Sequence, residues 1–147
     1  PCRGDIGGHG GACPSQRSSG LMRVLLITDW NAGRGGAEAY IACLRDSLRE
    51  SGDEVRLLTS GAGTAADGTA DYIAFGTGNP VAQSLLQIHN LPAARCVRRA
   101  VSEFRPEVAL VNMFAHHLSP AAVFALGDVP SVLLVSDYKC VCPTGSK

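Results

Sequence analysis

The sequence has no surplus of charge of one sign, no long apolar run and no paired cysteine hooks, and each absence removes a class of protein. Lys+Arg and Asp+Glu are both 13, so the formal net charge is zero. A nucleic-acid surface needs a basic excess to displace counterions, so no nucleic-acid partner is expected. No apolar stretch approaches the roughly 18–20 residues that span a bilayer. The opening residues are rich in Gly and Ser and lack the apolar segment of a signal peptide. The expected location is therefore cytoplasmic. The six Cys are not spaced as a metal site. Cys140 and Cys142 make only a C-x-C pair, whereas a structural zinc site wants two C-x-x-C-like hooks, or one hook and a His pair. No metal is expected. Cys43 and Cys96 fall on the apolar faces of predicted helices, where a free Cys acts as a small hydrophobe. Cys2 and Cys13 lie in the N-terminal tail.

What is present is ordinary globular material. The 147 residues are 46% hydrophobic and 18% charged, enough for one domain with a real core. Residues 1–21 read as a disordered tail, with six glycines by Gly20 and no hydrophobic periodicity. Met22, directly before the first strand signal, is the expected natural start. The domain is expected over residues 22–147.

From Arg23 onward strand and helix signals alternate. Arg23–Thr28 is a short apolar run, as for a strand buried on both faces. A glycine-rich turn follows, and then Ala37, Tyr40, Ile41, Leu44 and Leu48 recur at helical spacing, with Gly52 as a C-terminal stop. Glu54–Thr59 is the second predicted strand and Tyr72–Phe75 a short third. Asn79-Pro80 predicts a helix start with Pro in the first turn, running to about Ile88. Pro92 is expected to open the next helix, which Pro106 ends. Val108–Asn112 is the fourth strand. Ser119-Pro120 opens a short helix to Leu126, and Ser131–Ser136 is the fifth strand. This alternation predicts an α/β fold, an open parallel Rossmann-like sheet with helices on both faces. Such sheets bind ligands beyond the carboxyl ends of their strands, which singles out the loops after strands one, four and five.

The loop after strand one, Asn31 to Glu38, holds Gly33, Gly35 and Gly36 ahead of a helix. Glycines let a ligand approach the backbone, and a helix start offers unpaired N–H donors and positive potential, which suits phosphate or carboxylate. The segment is not a P-loop, because it has no Lys. It fits a dinucleotide fingerprint poorly, because the third glycine position is Glu38 and strand two ends in Leu57-Leu58-Thr59-Ser60 without an acid. Glu38 either complements the helix dipole or holds a ligand hydroxyl. The strand-four loop carries His116 and His117, candidates for base, ligand or relay roles, or plain surface residues. Asp137, after strand five, can accept a proton or orient a hydroxyl, or simply close a turn. Arg95, Arg98 and Arg99 form a small basic patch read first as a solvated face. Docking to an anionic membrane surface is the alternative, and it needs more charge or an apolar anchor than the sequence makes visible.

Several segments in order resemble the N-terminal domain of family 4 glycosyltransferases. They are Met22-Arg23-Val24-Leu25 running to Gly35-Gly36-Ala37-Glu38; Arg105-Pro106-Glu107-Val108, similar to the family's R-P-D-V; Leu118-Ser119-Pro120; and Asp137-Tyr138-Lys139 with Cys142-Pro143, similar to H-D-Y-x-x-x-C-P. The resemblance covers Met22 to Lys147. It implies the N-terminal half of a GT-B architecture, in which this half mainly holds the acceptor and a C-terminal domain beyond Lys147 binds the nucleotide sugar. It further implies a retaining transfer from a nucleotide-sugar donor to a glycan, lipid or small-molecule acceptor, with no cofactor. Gly35, Gly36 and Glu38 would meet the donor phosphate or sugar. His116 and Asp137 would be catalytic, and Asn112, His117 and Tyr138 would face the acceptor. Two positions depart from the family pattern. Ser136 stands where a His usually precedes Asp-Tyr, and Asn112 stands near a frequent strand-four His. Alone, the fragment is expected to be inactive. The implied setting is cytoplasmic, with peripheral contact at the inner membrane face as the variant. The competing readings are a non-catalytic α/β ligand-binding module and a dinucleotide-dependent oxidoreductase.

Overall fold

The computed structural model describes residues 21–29, 36–62 and 69–135. Its elements run β1 (Arg23–Thr28), α1 (Gly36–Glu50), β2 (Glu54–Ser60), β3 (Tyr72–Ala74), α2 (Pro80–Ile88), α3 (Leu91–Phe104), β4 (Val108–Asn112), α4 (Pro120–Phe124) and β5 (Ser131–Leu134). The strands form one sheet in the order β3-β2-β1-β4-β5, and every neighbouring pair is parallel. This is the Rossmann-like α/β sheet expected from the alternation of signals. Strand order reverses between β1 and β4, so the topological switch point lies there.

Alternation along the strands splits the core into two layers. Val24 and Leu26 of β1, with Val55 and Leu57 of β2, pack against Ile41, Leu44 and Leu48 of α1. Leu25, Ile27, Leu58, Ala109 and Val111 point the other way, where Ala93, Val97, Ala100 and Phe104 of α3 and Ala122 of α4 cover them. Helices thus lie on both faces. β1 is central, and Val24 through Thr28 are all buried, as its unbroken apolar run requires.

Local chemistry sets the helix ends. α1 closes on Gly52 at φ +92, with the Gly52 N–H donating to the Arg49 carbonyl and the Asp53 N–H to the Leu48 carbonyl, both at 3.0 Å. This pair of bonds satisfies two of the last carbonyls and needs a left-handed residue at the turn. The Asn79 side chain accepts from the Val81 and Ala82 N–H groups and caps α2, with Pro80 in the first turn. α3 starts one residue before the expected Pro92, because Asn90 is its cap.

Four expectations need correction. β3 ends at Ala74, and the carbonyl of Phe75 turns away to accept from the Asn90 side chain. α4 ends at Phe124, before Leu126. β5 ends at Leu134 and is not a buried strand: it is the sheet edge, and Val132 and Leu133 are exposed. Cys43 is exposed rather than core-facing. It lies two residues from Ile41, about 200° around the helix, so it points away from the sheet.

Cys96, by contrast, packs against the α3 side of the core. Burial pushes its thiol pKa up, against a smaller lowering by Arg99. Brief iodoacetamide treatment followed by peptide mass mapping is therefore expected to label Cys43 well ahead of Cys96. Equal labelling would mean that α3 does not hold Cys96 against the core.

Candidate active-site crevice

Asp29 is the first residue after β1 and is fully buried at the switch point. Its N–H donates to the Met113 carbonyl at 2.8 Å, which ties the β1 end to the chain just past β4. Its carboxylate accepts three successive backbone N–H groups of the β4–α4 loop. His116 donates to Oδ2 at 2.6 Å, His117 to Oδ1 at 3.1 Å and Leu118 to Oδ1 at 2.9 Å. Successive N–H groups turned toward one point form an anion-binding concavity, and here the protein fills it with its own carboxylate. Such charge-assisted bonds are about twice as strong as neutral ones. Asp29 therefore fixes the strand-four loop relative to the end of β1.

A second knot braces that loop from the α3 side. Asn90 is fully buried. Its side-chain amide donates to the His117 carbonyl at 2.6 Å and to the Phe75 carbonyl at 2.9 Å, while its oxygen accepts from the Ala93 N–H at 3.0 Å. Its backbone N–H donates to the Ser119 hydroxyl at 3.0 Å. Ser119 is therefore not the side-chain cap that Ser119-Pro120 suggested; it sits at φ 65 and makes no cap bond. Its hydroxyl joins α3 to the loop instead.

On the α1 face the last row of the sheet is polar. Thr59, Thr28 and Asn112 are in register, so their side chains leave the sheet on the same side. All three are buried. The hydroxyls of Thr28 and Thr59 find no hydrogen-bond partner among the described residues. This row lies at the same end of the sheet as the first turn of α1, where Glu38 is also buried. Glu38 thus occupies an interior position and not the exposed one of a simple dipole-complementing acid.

The structure brings several of the expected site residues to this one end of the sheet. Gly36 opens α1, and a Cβ built there meets nothing within 4 Å among the described residues. Asn112 ends β4. His116 is half-buried in the loop, and its carbonyl accepts from the Gln83 side chain at 3.5 Å. His117 is only 3% exposed. Gly35, Asp137 and Tyr138, with the departure at Ser136, lie outside the described residues. Sequence reasoning missed Asp29 and Asn90. The signal for Asp29 was available, since it is the first carboxylate after a fully buried strand.

Residues 34–135 match the family described as Glycosyltransferase Family 4, which is more than half of the 147 residues. The chain belongs to glycosyltransferase family 4. The match covers the elements from α1 to β5, and so includes both the helix start at Gly36 and the Asp29-bound loop. No curated protein matches the chain significantly. Among the described residues of this family 4 domain, no group of three or more His, Cys, Asp or Glu side chains is placed to hold a metal ion. Likewise, no described helix is long and apolar enough to cross a membrane.

Proposed function

We propose that this family 4 domain is the acceptor-side half of a retaining glycosyltransferase that moves a sugar from a nucleotide-sugar donor to an acceptor. The observation that carries the reading is the Asp29 clamp. It locks the His116–Leu118 loop against the end of β1 at the switch point, so the two loops that would meet donor and acceptor share one fixed edge.

In this reading the donor diphosphate approaches the start of α1. The first-turn N–H groups lack helical partners there, and Gly35 and Gly36 leave room for phosphate oxygens. Glu38 would hold a donor hydroxyl. His116 and Asp137 would position the acceptor hydroxyl on the face from which the nucleoside diphosphate leaves, so that it attacks the anomeric carbon with retention while its proton passes to the departing phosphate. Asn112, His117 and Tyr138 would shape the acceptor side. A C-terminal domain, outside the 147 residues, would bind the nucleotide, which makes the donor and the acceptor this protein's main partners. No cofactor takes part; the nucleotide sugar is a substrate.

The test is sugar transfer by the full-length enzyme. Gly36→Arg is the variant of choice, because a Cβ at that position meets no described residue within 4 Å and the long side chain would obstruct ligand approach. We expect Gly36→Arg and Asp137→Ala each to lower kcat/KM by about 100-fold or more, with the unfolding midpoint unchanged. Unchanged activity in both would remove these site assignments.

A further inference from the structure

The outer layer formed by α2, α3 and α4 carries a surface the transfer reaction does not use. α2 buries none of its residues. Val81, Leu85 and Ile88 recur at i, i+4 and i+7, so they form one stripe along the helix. They are 72%, 67% and 76% exposed, and Phe124 of α4 is 84% exposed. A groove of about 300 Å³ joins these elements, with Ile88 and Leu91 on one side, Phe124 on another and Arg98 at its wall. Arg95 and Arg99 stand at i−3 and i+1 of Arg98, and all three are exposed on the face of α3 opposite the core.

The charge of this layer is one-sided. From Tyr72 to Ser102 the chain contains three Arg and no Asp or Glu, and from Val108 to Gly127 it contains no charged Asp, Glu, Lys or Arg at all. Glu103 is the acid beside the patch, and it is engaged by Arg99 at 2.7 Å. The chain as a whole is neutral, so the arginines mark a local field and not a general excess.

We propose that this surface docks on an anionic lipid bilayer, with Val81, Leu85, Ile88 and Phe124 entering the headgroup boundary and Arg95 and Arg98 meeting lipid phosphates. Reversible membrane attachment takes two signals, and this face supplies both: apolar side chains that stand out from the fold, and cations beside them. A basic patch alone was a solvated face; the exposed stripe on α2 is the anchor it lacked. A second copy is a poorer occupant. Two-fold pairing through this patch would set arginines against arginines with no acid to meet them.

The test uses the full-length protein and unilamellar vesicles, either pure phosphatidylcholine or one-third phosphatidylglycerol, read by co-sedimentation at low and raised salt. Binding to the anionic vesicles is expected, with little to the neutral ones, and it should weaken as salt rises. Arg95→Gln and Arg98→Gln should each weaken it about fivefold, and together about twenty-fold. Leu85→Ser with Phe124→Ser should abolish it while leaving Arg-dependent steering intact. All these side chains are exposed, so thermal unfolding should stay near wild type in each variant. The proposal is overturned by failure to bind anionic vesicles, by equal binding to neutral ones, or by indifference to both sets of substitutions. It is equally overturned if Phe124→Ser changes the oligomeric state and vesicles bind nothing, which would assign the patch to protein contact. No transferase assay enters this test, so it stands or falls apart from the sugar-transfer reading.

Discussion

Asp29→Ala is expected to destabilise the domain by about 3–5 kcal/mol, because three backbone N–H groups, two of them buried, lose one shared, charged acceptor at once. The donors are consecutive, His116, His117 and Leu118, and they converge on two carboxylate oxygens within 3.1 Å. Alanine removes both oxygens and leaves these N–H groups without that acceptor. Asp29→Asn is the informative companion. It keeps one oxygen but turns an NH₂ group toward N–H donors, so it should recover part of the loss and no more. Urea unfolding is the measurement: the midpoint should drop in the order wild type, Asn, Ala, with the slope unchanged. An Asp29→Ala protein within about 1 kcal/mol of wild type would show that the clamp is not what orders the loop, and the functional reading built on it would lose its main support. Activity in the full-length enzyme should fall further than stability predicts, since the loop that carries His116 is released even in molecules that remain folded.

The parallel sheet was legible because its signal is redundant. Arg23–Thr28 is apolar without alternation, which only a strand covered on both faces tolerates, and the helical periodicity of α1 and α3 supplies the covers. The location of the crevice followed from topology, since the loops after β1 and β4 must meet where strand order reverses. Which partners the inward polar residues find was not legible, because those partners lie far away in sequence. Asp29 finds its donors 87 to 89 positions along the chain. Glu38 read as a helix-start acid and proves to be buried. The same limit hid the exposed stripe of α2. Val81, Leu85 and Ile88 have the spacing of a core-facing helix, and only the placement of α2 at the surface shows that the stripe is left in solvent. The edge position of β5 escaped for a similar reason, since SVLL reads as interior strand until the strand order is known. The segments that resemble the family most specifically, around Asp137 and Cys142, lie outside the described residues, so the matched span and the Asp29 clamp carry the weight of the functional argument.

Asn90 offers a sharper separation of roles than any other residue in the crevice wall. As an N-cap alone it would be replaceable, because Asp caps a helix as well as Asn does and adds a favourable charge at the positive end. The structure gives Asn90 a second duty. Its NH₂ group donates to the carbonyls of Phe75 and His117, holding the turn after β3 and the β4–α4 loop to the start of α3. Asn90→Ala should therefore cost about 3 kcal/mol, roughly 1 from the lost cap and the rest from the buried His117 carbonyl and the partly buried Phe75 carbonyl, which both lose this donor. Asn90→Asp should be no better, because it keeps the bond from the Ala93 N–H but sets a carboxylate oxygen against the carbonyl oxygens of Phe75 and His117. The capping rule predicts the opposite order, with Asp neutral and Ala costly. Chemical denaturation of the two variants decides between them. If Asn90→Asp matches wild type, the Asn90 side chain is a helix cap and nothing more, and its bond to the His117 carbonyl does not brace the loop. If Asn90→Asp falls with Asn90→Ala, the crevice wall is braced from both sides of the sheet's last row, by a carboxylate that gathers N–H groups and an amide that gathers carbonyls.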